Sequence, residues 1–194
     1  MFDKHRVLGS IPRSIFIVTI KIYIMEYQSI LVVIAFAIYL IYDFTAVSLF
    51  GTPKSLSNTF YLFKERKSWQ RFFFPIMMIS TAGLLLPAWL DISQNSPFQF
   101  LSFLACAGIM FTGAAPTFKA SKMENRVHMI SAIIAAVCAI LWIILVTNCE
   151  WVIGLWFIGI LVNAIVTKTI KTSYIYHLET IAFMSTFCTL LLCL

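Results

Sequence analysis

Apolar residues run through this chain in six blocks, at about positions 29 to 50, 69 to 90, 98 to 115, 127 to 147, 150 to 167 and 174 to 194. Each block approaches the roughly 20 residues that a helix needs to cross a hydrocarbon layer about 30 Å thick. The separators carry turn chemistry: Gly51-Thr-Pro53, Asp91 to Pro97 (DISQNSP), Pro116 to Arg126 (PTFKASKMENR), Asn148-Cys-Glu150 and Lys168 to Ser173 (KTIKTS). A backbone surrounded by lipid must satisfy its hydrogen bonds internally, which leaves the helix as the open-ended solution. The pattern predicts an all-α fold, a polytopic transmembrane bundle of six helices.

Charge gives that bundle a direction. After Met25 every lysine and arginine falls in one of three alternate loops: Lys54, Lys64, Arg66, Lys67 and Arg71 in one, Lys119, Lys122 and Arg126 in the next, Lys168 and Lys171 in the last. Excess positive charge marks cytoplasmic loops. The expected protein is therefore a multi-pass cell-membrane protein with the start of its first span outside, its basic loops cytoplasmic and its C-terminus outside. Compact size and minimal loops suggest a bacterial inner membrane. Residues 1–25 fit this scheme poorly, because Lys4, Arg6, Arg13 and Lys21 would lie on the wrong side and Lys21 interrupts the run from Ile15 to Ile24. They are expected to be a leader: an amphipathic segment lying on the surface, a signal-like sequence without a small-residue cleavage site, or a stretch preceding a native start at Met25, the reading favoured. The six-helix domain is placed at residues 26–194.

Composition narrows the function classes. Hydrophobic residues make up 61% of the chain and charged residues only 11%, and its mean hydropathy is +0.93. A soluble domain carries about 25% charge, so a soluble enzyme or binding module is excluded. The formal charge of +6 resides in the loops flanking the spans, where it sets topology and meets anionic lipid headgroups rather than nucleic acid. Membrane lipids are the expected partners, with a second copy or another membrane protein as further candidates. Cys106, Cys138 and Cys188 fall inside spans as small hydrophobes, while Cys149 and Cys193 would share the outer face and could pair there if it is oxidising. Trp69, Trp89, Trp142 and Trp151 stand at span ends, as interfacial belts require. Ser131, Ala132, Ala135, Ala136 and Ala139 form a small-residue seam for close helix packing in the fourth span.

Ionisable side chains at membrane depth are costly and mark function by default. Asp43 shares a face of the first span with Tyr39 and Ala46. His128 opens the fourth span, and His177 and Glu179 lie in the first turns of the sixth. The latter two are about 200° apart around the helix, so at most one points directly into the bundle. All lie toward the basic ends of their spans, where Asp43, His128 and His177 or Glu179 could converge, with Ser55, Ser57 and Asn58 at the mouth. Two histidines and a carboxylate could hold a metal or move a proton; the plainer reading is a polar knot, with Asp43 bonded to His128 or to a loop lysine. No GxSxG, Walker loop or HExxH occurs.

The loop after the first span, Gly51-Thr-Pro-Lys-Ser-Leu-Ser-Asn-Thr-Phe60, and the start of the fourth, Arg126-Val-His-Met-Ile-Ser-Ala132, resemble the six-helix family that includes the damage-regulated autophagy modulators and a related bacterial membrane domain of unknown function. Some members of that family are linked to lipid organisation or trafficking. A more distant likeness is to membrane hydrolases such as alkaline ceramidase and the adiponectin receptors, which carry a zinc site. That analogy implies Asp43, His128 and His177 as metal ligands, with Ser57 beside them in the catalytic set. The chain has six spans where those hydrolases have seven, and no HxxxH pair in its last span.

The expectation is an integral membrane protein that binds lipid or a membrane partner without catalysis. The alternatives are an intramembrane metal-dependent lipid hydrolase using Asp43, His128, His177 and Ser57, for which zinc would be the cofactor, and a small proton-coupled carrier using Asp43 and His128.

Overall fold

The structure, a computed structural model, describes residues 13–194. All regular elements among the described residues are helical: α1 Arg13–Phe50, α2 Thr59–Arg66, a 3-10 turn at Ser68–Phe72, α3 Phe73–Ser93, α4 Phe100–Ala114, α5 Lys122–Val146, α6 Glu150–Val166 and α7 Tyr174–Cys193. Four stretches are long and apolar enough to cross a membrane: Met25–Phe50 within α1, Ser68–Ser93, α5 and α7. At 15 and 17 residues, α4 and α6 extend about 23 and 26 Å, less than the hydrocarbon layer of about 30 Å. Each expected span is largely helical, the first within a helix already under way at Arg13, but four stretches reach spanning length. Of the expected leader, residues 1–12 lie outside the described residues. From Arg13 onward its backbone already belongs to α1, which passes Met25 without a break.

Local chemistry explains the helix boundaries. α1 stops at Gly51, whose φ of 71° is left-handed and whose N–H returns to the Val47 carbonyl at 2.9 Å; glycine is the residue that adopts this cap without steric cost. α5 starts at Ser121, whose hydroxyl accepts the Glu124 N–H at 3.1 Å, a serine N-cap. The Glu124 carboxylate accepts the Thr117 hydroxyl at 2.7 Å and so fastens the preceding loop.

Five helices close a ring: α1 packs on α3, α3 on α4, α4 on α5, α5 on α7, and α7 returns to α1. α6 stands outside it, packed chiefly on α7. The α4 and α5 pair is the most intimate, because Gly108 meets the small-residue seam of α5. A methyl group at Gly108 would lie 2.7 Å from the Ser131 carbonyl oxygen and 2.8 Å from the Ala135 nitrogen.

The helices alternate between two ends. At one end Lys119 N–H donates to the Tyr61 hydroxyl and Lys119 Nζ to Asn58 Oδ1, while the Tyr176 N–H meets the Lys54 carbonyl and the Ser173 hydroxyl meets that of Thr52. The three basic segments are therefore joined, as their charge pattern predicts. At the other end the tryptophans depart from expectation. Trp89 and Trp142 are fully buried, edge-to-face with centroids 5.6 Å apart, and the Trp142 indole N–H donates to Ser93 Oγ at 2.6 Å. Both are core residues; for Trp142 the linked hydroxyls of Ser93 and Ser102, 2.9 Å apart, supply the polar partner that an indole otherwise finds at a headgroup, whereas the Trp89 N–H has none among the described residues. Trp69 and Trp151 remain exposed, as a belt requires.

Candidate functional site

The eight residues joining α1 to α2, Gly51 to Asn58, dip into the ring at its basic end, with Leu56 and Ser57 buried. Irregular backbone at such depth must find its partners in the protein. Glu179, on the second turn of α7, supplies one: its Oε2 accepts the Leu56 N–H at 2.6 Å.

Ser57 finds another partner. Its hydroxyl lies 2.8 Å from Nε2 of His128, and the opposite ring nitrogen, Nδ1, lies 2.9 Å from the carbonyl oxygen of Ala115. A carbonyl only accepts, so Nδ1 carries the hydrogen and, in the neutral ring, Nε2 is left to accept the Ser57 proton. The Ala115 carbonyl belongs to the C-terminal cap of α4, where no helical partner exists; His128 therefore joins α4, α5 and the α1–α2 loop. Phe118 stacks on the imidazole, centroids 4.6 Å apart and planes tilted by 25°. His128 is 2% exposed.

The remaining candidates lie apart from this pair. Asp43 receives the Tyr176 hydroxyl between its two oxygens, at 2.8 and 3.0 Å, which links α1 to α7. It is neither the expected partner of His128 nor bonded to a lysine. Nε2 of His177 meets the Thr169 hydroxyl at 2.9 Å, facing the α6–α7 loop. The expected convergence of Asp43, His128 and His177 is thus replaced by three separate bonds. Among the described residues no group of three or more His, Cys, Asp or Glu side chains comes together at metal-binding range.

What the polar residues do share is a cavity. Inside the ring, among α3, α4, α5 and α7, lies a narrow, partly open cleft of about 60 Å³. Ser57 and Glu179 line one end with Thr112; Ala132, Ala136, Met78, Ile109 and Phe183 line the shaft, and Leu85, Trp89 and Ala139 continue it toward the other end. Phe74 and Trp89, both on the wall, are separated by 15 positions on α3, or about 22 Å of helix. The lining is apolar apart from its hydroxyls, Glu179 and the indole of Trp89. Part of the α5 seam therefore faces empty space, while Ser131 and Ala135 meet Gly108.

Sequence reasoning reaches Ser57 and His128 but ranks His177 with Asp43 above Glu179. The rotation between His177 and Glu179 is the available signal: only one could point inward, and it is the carboxylate. Tyr176, which holds Asp43, gives no sequence signal, because an interfacial tyrosine near a span end looks the same. Comparison of the chain with family models, with curated proteins and with solved structures finds no match in any of the three.

Proposed function

We propose that this integral membrane protein binds one alkyl chain of a lipid or a single-chain amphiphile inside its helical ring, with the polar head at the Ser57 and Glu179 end. The observation that supports this reading is the shape and polarity of the cavity, a long apolar shaft lined by α3, α4, α5 and α7 and polar at one end. Ligand pockets combine an apolar wall with a few convergent polar groups in this way. By the positive-inside rule the joined basic loops, and hence the polar end of the cavity, would face the cytoplasm, with all six apolar helices crossing, the shorter α4 within the ring and the shorter α6 against α7. The sequence resemblance to a six-helix family, some of whose members are linked to lipid organisation, is in keeping with this reading.

Substitution of Ala136 by Phe tests it, since this side chain fills the shaft without touching the polar end. Lipid extracted from the purified protein and quantified by mass spectrometry is expected to be stoichiometric in the parent and depleted in the variant. Equal amounts of lipid in both would end the proposal.

A second reading, cleavage of an ester or amide in the bound chain, is favoured by the Ser57 and His128 bond, in which Nε2 is placed to accept the hydroxyl proton as Oγ adds to a carbonyl carbon. The binding reading is preferred because the carboxylate of Glu179 stands beside Ser57 and would oppose an oxyanion formed there. A fluorophosphonate probe should leave Ser57 unlabelled; labelling abolished by Ser57→Ala would reverse the preference. Metal-dependent hydrolysis with zinc and proton-coupled transport lack a comparable arrangement, since Asp43, His128 and His177 each hold a different partner.

A further inference from the structure

The polar end of the cavity is short of hydrogen-bond donors, and this specifies the head that would fit it. Of the four hydroxyl or carboxyl side chains on the lining, Ser57, Thr112, Glu179 and Thr186, three have already placed their only hydrogen. The Ser57 hydrogen goes to Nε2 of His128, that of Thr112 to the Gly108 carbonyl at 2.8 Å, and that of Thr186 to the Ala182 carbonyl at 2.8 Å. What they offer a ligand is lone pairs. Glu179 adds two carboxylate oxygens, of which Oε2 is engaged by the Leu56 N–H. The Trp89 N–H is also on the wall but is sealed from accessible space.

Glu179 is the one residue with a carboxyl group on the lining. Among the described residues, its carboxyl accepts one hydrogen bond, from the Leu56 N–H, and no lysine or arginine acts on it. The nearby basic loop keeps its cations elsewhere: Lys54 is exposed, and Lys119 Nζ bonds Asn58 Oδ1 at 2.9 Å and lies 4.3 Å over the Tyr61 ring. A carboxyl at this depth is held ionised only when it is paired, and a cation that also donates hydrogen bonds would pair it.

We propose that the ligand is a long-chain amine, its ammonium group received by Glu179 and the lone pair of Ser57 and its alkyl chain lying along the α3 to α5 shaft. This rests on the binding reading above and adds the chemistry of the head. An anionic head would bring a second acid group beside Glu179, and an alcohol would satisfy one acceptor without supplying a counter-charge to the carboxylate form.

The test compares dodecylamine, dodecanol and dodecanoate, with butylamine as the amine without a tail, titrated against the full chain in phosphatidylcholine nanodiscs, with empty nanodiscs subtracted. Dodecylamine is expected to bind at least about tenfold more tightly than dodecanol, and dodecanoate most weakly. Glu179→Gln, which keeps an acceptor for the Leu56 N–H, is expected to erase the preference for the amine while leaving dodecanol affinity within about threefold. Ala136→Phe is expected to weaken all three long-chain compounds together. Dodecanol or dodecanoate binding as tightly as the amine, or an amine preference that survives Glu179→Gln, would overturn the head assignment while leaving the alkyl site standing. Butylamine binding as tightly as dodecylamine would overturn the long-chain ligand, and failure of every compound to bind would remove the binding reading and this inference together.

Discussion

At the scale of single residues, the bundle is held by contacts that tolerate little change. Gly108 is the sharpest, since any side chain there meets backbone atoms of Ser131 and Ala135 and backbone cannot rotate away. Gly108→Ala is expected to cost about 1–3 kcal/mol, read as a lower unfolding midpoint in detergent, whereas Gly159→Ala, with open space around it, should leave that midpoint unchanged or raise it slightly. Tyr176→Phe is expected to cost a similar amount, about 1–3 kcal/mol, because Asp43 would lose the hydroxyl that bonds both its oxygens; the same unfolding measurement checks it. These residues also show what sequence conveys. His128 and Ser57 were legible as candidates because an imidazole and a loop serine at the basic end stand out in an apolar chain. Their bond to each other was not legible, since it depends on the α1–α2 loop folding inward. The pairing of Asp43 with Tyr176 was hidden for the same reason: it depends on the rotation of α1 against α7, which hydrophobic blocks without strong periodicity do not fix.

Among elements, the blocks and turns of the sequence place the apolar helices well and their lengths less well. α4 and α6 are shorter than the apolar runs suggest because residues near their ends serve turns: Phe98 in the turn before α4, and Thr167 and Lys168 in the cap of α6, where Lys168 takes a left-handed φ of 57°. The tryptophans mislead for a related reason, since a residue at the end of a span can face either the headgroups or a neighbouring helix. Two cysteines stand at helix ends on the side opposite the basic loops. Cys149 precedes the first residue of α6, Cys193 ends α7, and both are free thiols. Mild oxidation is expected to join them, detected as a faster-migrating band on non-reducing electrophoresis that is lost in Cys193→Ser. An unaltered band after oxidation, with Cys106 and Cys138 buried and inert, would show the two thiols to be apart.

For the whole molecule, the gathering of three basic segments at one end is the feature that charge alone conveyed, and it leads to a topology test. A reporter inserted between Gln94 and Pro97 should be active only outside the cytoplasm and one inserted between Lys119 and Ser121 only inside. The reverse result would invert the bundle and move the polar end of the cavity to the outer leaflet.

The α1–α2 loop also bears on how the chain is assembled. Its partners are Glu179 at a sequence separation of 123 residues, Ser173 at 121 and His128 at 71. Helices inserted in order from the N-terminus leave this loop without its last bonds until α7 arrives, and pairings this distant in sequence form late. Until then, the buried loop backbone and the wall of the unfinished cleft remain open to the surrounding bilayer. Arrival of α7 is the step that seals the site, so defects in the last helix should be felt first at a loop synthesised more than a hundred residues earlier.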